Sequence, residues 1–369
     1  MGAPASLRDT RDGDRMSRIV MVTPGGGDTG YAIFLGRGLE LLGHAVSRFA
    51  LSAMPEHPSL PERLRHRLRR ALTPPGLARR RIEEGLVRFV RSSRPDLVIL
   101  VKGGGLRAEA LAQVRAEGAR LVLILPDSPL VDPGMADRAF LDALPQFDLV
   151  VTFARAFVPV LHQMGALRVR RIPFAYEPTI HRPGALAGED APRYRSPLAY
   201  LGSWGPLQER WLTPLVPFGL KIWGDGWYRL PPRHPLRECV QGQGGRGAGF
   251  GQAVAGADLV VNFIRAEHGC AHSMKTFEVP ACSKLHLVNR TEEQQEFFAE
   301  GREAVYFDTP DELRDAVRYY LDHEQARRAI EERALQAVQP HTYQARAAEL
   351  LEHLRQPGNG SASLPERSR

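Results

Sequence analysis

Three runs of nearly the same form constrain this chain more than any other feature: Asp96–Val101 (DLVILV), Asp148–Phe153 (DLVVTF) and Asp258–Phe263 (DLVVNF). Each runs apolar from its aspartate, broken only near the end by Thr152 and Asn262 in the second and third, rather than alternating, which is the pattern of a strand covered on both faces. Leu121–Leu125 and His286–Asn289 have the same character, and Arg18–Thr23, Ala45–Ala50 and Leu198–Ser203 add further strands. Between them lie stretches with helical spacing, such as Tyr31–Leu42, which stops at Gly43, a natural C-cap. Strands alternating with helices predict parallel sheets, and so an α/β fold.

The strands fall into two series. Pro183–Pro197 (PGALAGEDAPRYRSP) is polar and rich in Pro and Gly, and Leu198–Ser203 opens a second series after it. Each half resembles a Rossmann-like unit. The expected division is a tail over 1–17, a first domain over 18–182, a linker over 183–197 and a second domain over 198–340. A C-terminal helix over 341–356 and a second tail over 357–369 follow, both tails being polar and expected to be disordered. Gln241–Gly251 (QGQGGRGAGFG) is expected to be a mobile loop. Thr309-Pro310-Asp311-Glu312 is a helix start, with threonine to cap, proline at the first position and glutamate to complete a capping box. The helices after it are expected to pack back across the junction between the domains.

Composition removes several classes. No run of about 18 apolar residues exists to span a membrane. Met1–Ser17 is polar, unlike a secretory signal, and the expected location is cytoplasmic. Three cysteines, Cys239, Cys270 and Cys282, without a CxxC, suit neither a disulfide framework nor a zinc ribbon. The net charge of +7 is local, since eight arginines and no acid lie between Arg63 and Arg81, and without them the chain carries −1. Nucleic acid is therefore not an expected partner. The block instead predicts two short basic amphipathic helices broken at Pro74-Pro75, able to touch an anionic membrane surface or to stay as a solvated face.

In open parallel sheets ligands bind where strands end and helix N–H groups are free, so the residue after each strand is the candidate. Gly25–Gly30 satisfies GxGxxG, but no acid stands near Ala50–Ala53 to hold the ribose of a nicotinamide dinucleotide. Gly26, Gly27 and Asp28 are instead a flexible approach to the first domain, or simply a tight turn. Lys102 beside Gly103 can reach an anion or be a solvated strand terminus. Asp127 in Pro126-Asp127-Ser128-Pro129 can take a proton or merely make a turn. In the second half, Gly202-Ser203-Trp204 with Arg210 offers donors to a phosphate, and Gly224-Asp225-Gly226 admits a planar base or sugar. Asn262, Arg265, Ser273, Lys275, Thr276 and Glu278 then follow the DLVVNF strand, with Lys275 one of four lysines in the chain. Lys275 can neutralise a diphosphate and Glu278 can bind ribose hydroxyls, although the two are also spaced as an ordinary helical ion pair. His268, Cys270 and His272 alternate without a second cluster, and no metal is expected there.

From Asn262 to about Leu354 the chain resembles the C-terminal domain of the CgeB-like (spore-maturation type) glycosyltransferases, of the GT-B fold. The resemblance rests on Asn262–Arg265, Ser273–Cys282, Gln295–Phe298, Gly301–Glu303, Asp308–Leu313, Tyr319–Leu321 and His341–Tyr343, with Gly202, Ser203 and Arg210 fitting the start of that domain. Asp127–Pro129 and Pro173–Pro178 with His181 match more loosely. It implies transfer from a nucleotide-diphosphate sugar in a cleft between two Rossmann-like domains, without a cofactor or metal, and with a retaining outcome. Glu278 would then hold the ribose, Lys275 or Arg265 the diphosphate, and the first domain an acceptor left unspecified. Asp127, then His268, are the candidates for general base. Two departures stand out: Cys270 occupies the position eight before Glu278 where related retaining enzymes carry an acid, and Lys275 replaces a common arginine, losing its bidentate fork. A non-catalytic nucleotide-sugar-binding protein is the alternative, with a nicotinamide-dependent oxidoreductase behind it.

Overall fold

A computed structural model describes residues 16–25, 30–52, 75–102, 105–130, 137–184, 186, 191–242 and 247–356. Gly26, Gly27, Asp28, Gly103 and Arg63–Arg70 lie outside them. Two six-stranded sheets form, and every strand pair is parallel. The first holds β1 (Arg18–Thr23), β2 (Ala45–Ala50), β3 (Leu97–Val101), β4 (Arg120–Leu125), β5 (Leu149–Thr152) and β6 (Val169–Arg171), in the order β2-β1-β3-β4-β5-β6. The second holds β7 (Ser196–Leu201), β8 (Leu220–Trp223), β9 (Val240–Gly242), β10 (Ala257–Asn262), β11 (Leu285–Asn289) and β12 (Val305–Phe307), in the order β12-β11-β10-β7-β8-β9.

The DLV runs become central strands because their neighbours cover both faces: all five residues of β3 are buried. Helix Gly30–Leu41 ends ahead of Gly43, whose φ of 87° is the left-handed cap the sequence predicts. Thr309 caps helix Pro310–Asp322 by accepting the Glu312 N–H at 3.2 Å. The glycine-rich stretch after Cys239 differs from its expectation. Val240–Gly242 pairs with β8 as an edge strand, and Gly247–Ala255 is a helix whose Phe250, Ala253 and Val254 are buried. Apolar residues spaced among the glycines supply that helix with a packing face. Of the arginine block, Arg79–Arg81 lie in a single helix, Pro75–Ser93, where Arg79 meets Asp137 and Arg80 meets Glu84. Among the described residues no helix is long and apolar enough to cross a membrane.

Helix Tyr343–Arg355 returns to the first domain, where Tyr343, Ala347, Leu350 and Leu354 join its core. Tyr343 meets Tyr31 and Phe34 at ring distances of 5.5 and 5.4 Å, and Tyr176 bridges to Thr342. Gly38 permits the approach, since a Cβ there would lie 2.6 Å from the Tyr343 carbonyl oxygen.

A polar knot also joins the two halves. His272 is fully buried; Phe174 N–H donates to its Nε2 at 3.1 Å, so its proton sits on Nδ1 and is donated to Glu293 at 2.8 Å. Glu293, also buried, accepts the Arg155 N–H at 2.6 Å and an Arg171 N–H at 2.9 Å. Burial pushes the Glu293 carboxyl up, but the hydrogen bonds from His272 and Arg155 and the Arg171 charge hold it below its ordinary value. Arg171 and Arg155 both reach Glu296, at 3.0 and 2.7 Å.

Candidate active site

Strand order places the site. In an open parallel sheet a crevice opens where successive connections leave in opposite directions. In the second sheet this falls between β7 and β10, and in the first between β1 and β3. The carboxyl ends of the two sheets look toward each other, as Phe153, just after β5, meets His268, after β10, with ring centroids 5.1 Å apart.

On the second domain, β7 runs into Gly202-Ser203 and β8 into Gly224-Asp225-Gly226. Gly202 N–H donates to Trp223 O at 2.9 Å, and Trp204 N–H to Asp225 O at 2.8 Å, which ties the two turns together. Between them is a hollow of about 580 Å³ lined by Ser203, Trp204, Gly224, Asp225, Tyr228 and Arg229 among others. Trp204 donates its indole N–H to Glu209 at 2.8 Å, and the Arg229 guanidinium lies 5.2 Å from its ring centroid. Gly224 admits no side chain, as a Cβ would lie 2.1 Å from the Gly202 carbonyl oxygen. Gly224→Ala is therefore expected to force the turns apart and cost at least about 1–3 kcal/mol, the range for overpacking a tight site. Urea unfolding measures it; a loss under about 0.5 kcal/mol, the level of an indifferent surface change, would mean the turns are loose. Arg210 lies in helix Pro206–Leu212, as the sequence predicts, but not in the lining of this hollow. It is exposed and lines a separate hollow of about 450 Å³ with Glu209, Thr213 and His234.

Beyond β10, Asn262 is buried and donates from Nδ2 to Ser273 Oγ at 3.0 Å, while Ser273 N–H donates to Thr276 Oγ1 at 3.1 Å. These bonds fix the entry to helix Lys275–Ala281. Lys275 is half-buried; loss of solvent pushes its ammonium below the usual lysine value and Arg265 pushes it further, with Glu278 opposing. Glu278 is 6% exposed, and burial raises its carboxyl to about 7 against the pull of Lys275. Among the described residues the two make no ion pair within 4.0 Å; the group close to Glu278 is His181 of the first domain, with Nε2 3.7 Å from Oε1. Arg265 is mostly exposed, 3.8 Å from Glu267.

On the first domain, Lys102 has the left-handed φ of 68°, uncommon for a residue with a side chain, and its Nζ lies 2.5 Å from Asp127 Oδ2. Residues singled out separately thus form one ion pair, set side by side by the β3–β4 register of Val101 with Ile124. The Asp127 charge reaches His268, whose imidazole burial nonetheless holds below its usual value. His268, Cys270 and His272 do not gather: His272 spends both ring nitrogens on the interdomain knot, and Cys270 is exposed. Sequence reasoning missed His181 as a neighbour of Glu278, and Glu293 and Arg171 altogether.

Residues 206–352 match the family described as "Glycosyl transferase-like". Among solved structures, sucrose-phosphate synthase from Thermosynechococcus elongatus superposes with a TM-score of 0.61 at 14% identity, over 92% of this chain and 98% of that one. Anabaena HepE in complex with UDP-glucose gives 0.60 at 14%, over 92% and 99%. A putative UDP-N-acetylglucosamine 2-epimerase from Listeria monocytogenes gives 0.57 at 11%, over 92% and 96%. No curated protein sequence matches the chain. The fold is that of the GT-B glycosyltransferases, two Rossmann-like domains facing a cleft, as the sequence predicts.

Proposed function

We propose that this chain is a glycosyltransferase that moves a sugar from a nucleotide-diphosphate donor to an acceptor held by the first domain. The observation that carries this reading is that the Gly202–Trp204 turn and the Lys275–Glu278 helix start follow β7 and β10, the two strands flanking the switch point of the second sheet, with the Gly224–Gly226 turn closing a hollow against the first. The fold alone serves epimerases as well as transferases. The family match over 206–352, which takes in the Gly224–Gly226 turn and the Lys275–Glu278 helix start, favours transfer. The finer reading is a CgeB-like, retaining enzyme working in the cytoplasm.

In this reading the base enters the hollow beside Trp204 and Gly224, and the Glu278 carboxylate accepts hydrogen bonds from the ribose hydroxyls. Lys275 and Arg265 meet the diphosphate, whose charge grows as the glycosidic bond breaks, so that cations fixed in place stabilise the leaving group without a metal cofactor. Ser203 and the bonded Asn262–Ser273–Thr276 set hold the backbone around it. Asp127, paired with Lys102, is the candidate base toward the acceptor hydroxyl, and His268 is the second candidate across the cleft.

A thermal-shift panel of sugar nucleotides, followed by detection of released nucleotide, tests the reading. One donor at a hundred times its Kd is expected to stabilise the protein by about 2.7 kcal/mol and to release nucleotide once an acceptor is supplied. Stabilisation without release under any acceptor would favour a binding protein, and no stabilisation by any sugar nucleotide would remove the proposal.

A further inference from the structure

We propose that His181, contributed by the first domain, is a positioning residue for Glu278, so that recognition of the donor ribose depends on the two domains being closed on each other. The inference rests on the donor site proposed above and adds a residue to it. His181 is 3% exposed and lies edge-on to Phe34 and Phe250, with ring centroids 5.5 and 5.3 Å away. Its orientation is fixed from behind: Glu177 N–H donates to Nδ1 at 3.0 Å, which leaves the ring proton on Nε2. The turn bearing it is rigid, since His181 N–H returns to Glu177 O at 2.8 Å and the Glu177 carboxylate accepts both the N–H and the hydroxyl of Thr179.

That Nε2–H faces the Glu278 carboxylate at 3.7 Å, longer than a hydrogen bond. Functional hydrogen bonds are often long before the ligand binds and tighten in the complex. A neutral imidazole is suited to this work, because it orients the carboxylate while leaving the negative charge for the ribose hydroxyls. Burial keeps His181 neutral, pushing its imidazole down to about 4. Lys275 from the same helix and Tyr343 from the returning helix also face Glu278, but Lys275 is placed to serve the diphosphate and the Tyr343 ring is committed to the first domain's core.

The bland alternative is that His181 is a satisfied core histidine, and two substitutions separate the readings. His181→Asn keeps an oxygen to accept the Glu177 N–H but deletes the Nε2–H. His181→Gln extends an N–H toward the Nε2 position. Calorimetry on the full chain with UDP, ADP and GDP, and with their 2′,3′-dideoxy counterparts, reads the outcome. The wild type is expected to prefer one ribonucleotide over its dideoxy form by about tenfold or more, the size of a hydrogen bond to a charged group. His181→Asn should lose that preference by weakening only the ribonucleotide, and His181→Gln should restore part of it. Equal weakening of both forms by His181→Asn, or an undiminished preference, would overturn the positioning role while leaving the donor site standing. A wild type that binds none of the six nucleotides would overturn the donor site and this inference together.

Discussion

Glu293→Ala should destabilise the protein by about 3–5 kcal/mol, the usual cost of removing one member of a buried ion network. Three donors converge on this carboxylate: the His272 Nδ1–H, the Arg155 N–H and the Arg171 guanidinium. The imidazole and the carboxylate are buried and neither reaches water, so the imidazole N–H that loses its acceptor stays unsatisfied. Because the donors come from both halves of the chain, the damage falls on the junction. Denaturant unfolding should show not only a lower midpoint but a transition that separates into two as the domains uncouple. Arg155→Ala provides the contrast. Its guanidinium is 67% exposed and touches Glu296, and its backbone N–H survives the change, so it should cost under about 1 kcal/mol. Equal effects from the two substitutions would show that the knot does not hold the domains.

Glu278→Gln is expected to move stability and binding in opposite directions. The folded carboxyl is raised to about 7 from an ordinary value of 4.5 by burial. The folded state therefore holds a proton through that interval that the unfolded chain has released. Stability falls as pH rises from about 4.5 to 7, and the loss is complete above 7. A neutral amide escapes the penalty, so Glu278→Gln should gain up to about 3 kcal/mol at pH 8 and little at pH 4.5, since each pH unit between the two values is worth about 1.4 kcal/mol. If the proposed donor site is right, nucleotide affinity should drop by about tenfold or more, since the substitution removes the charged acceptor assigned to the ribose. Glu278→Ala should weaken binding likewise without the gain, because it leaves a cavity. A gain equal at both pH values would mean that burial of charge is not what sets the Glu278 environment. Functional sites commonly carry such a cost in stability.

The central strands were legible because parallel strands covered on both faces are nearly continuous apolar runs, which is what the DLV segments display, with polar Thr152 and Asn262 only at strand ends. Val169–Arg171, Val240–Gly242 and Val305–Phe307 left little mark. Each is three residues long and the outermost strand of its sheet or one end of it, where a single neighbour suffices and arginine or glycine is tolerated. Strand-end residues such as Gly202, Gly224 and Asn262 could be named from position alone, because topology dictates where ligands sit. Their partners could not. Phe174 and His272 are 98 residues apart, Arg155 and Glu293 are 138, and no periodicity registers a contact across that span. Lys102 and Asp127 show an intermediate case: both stood out as strand ends, yet the pairing of the two follows from β3 and β4 being neighbours in the sheet.

The return of helix Tyr343–Arg355 to the first domain sets an order of assembly. Domains generally fold in the sequence in which the ribosome releases them, at about 5–20 residues per second. Here the first sheet is made early but its core includes Tyr343, Ala347, Leu350 and Leu354. The half synthesised first must therefore wait, with the flank of helix Gly30–Leu41 around Gly38 uncovered, while the second sheet is made and closes. Completion of the earlier domain therefore follows synthesis of the second sheet, and the second half of the cleft is made before the first half has its full core behind it.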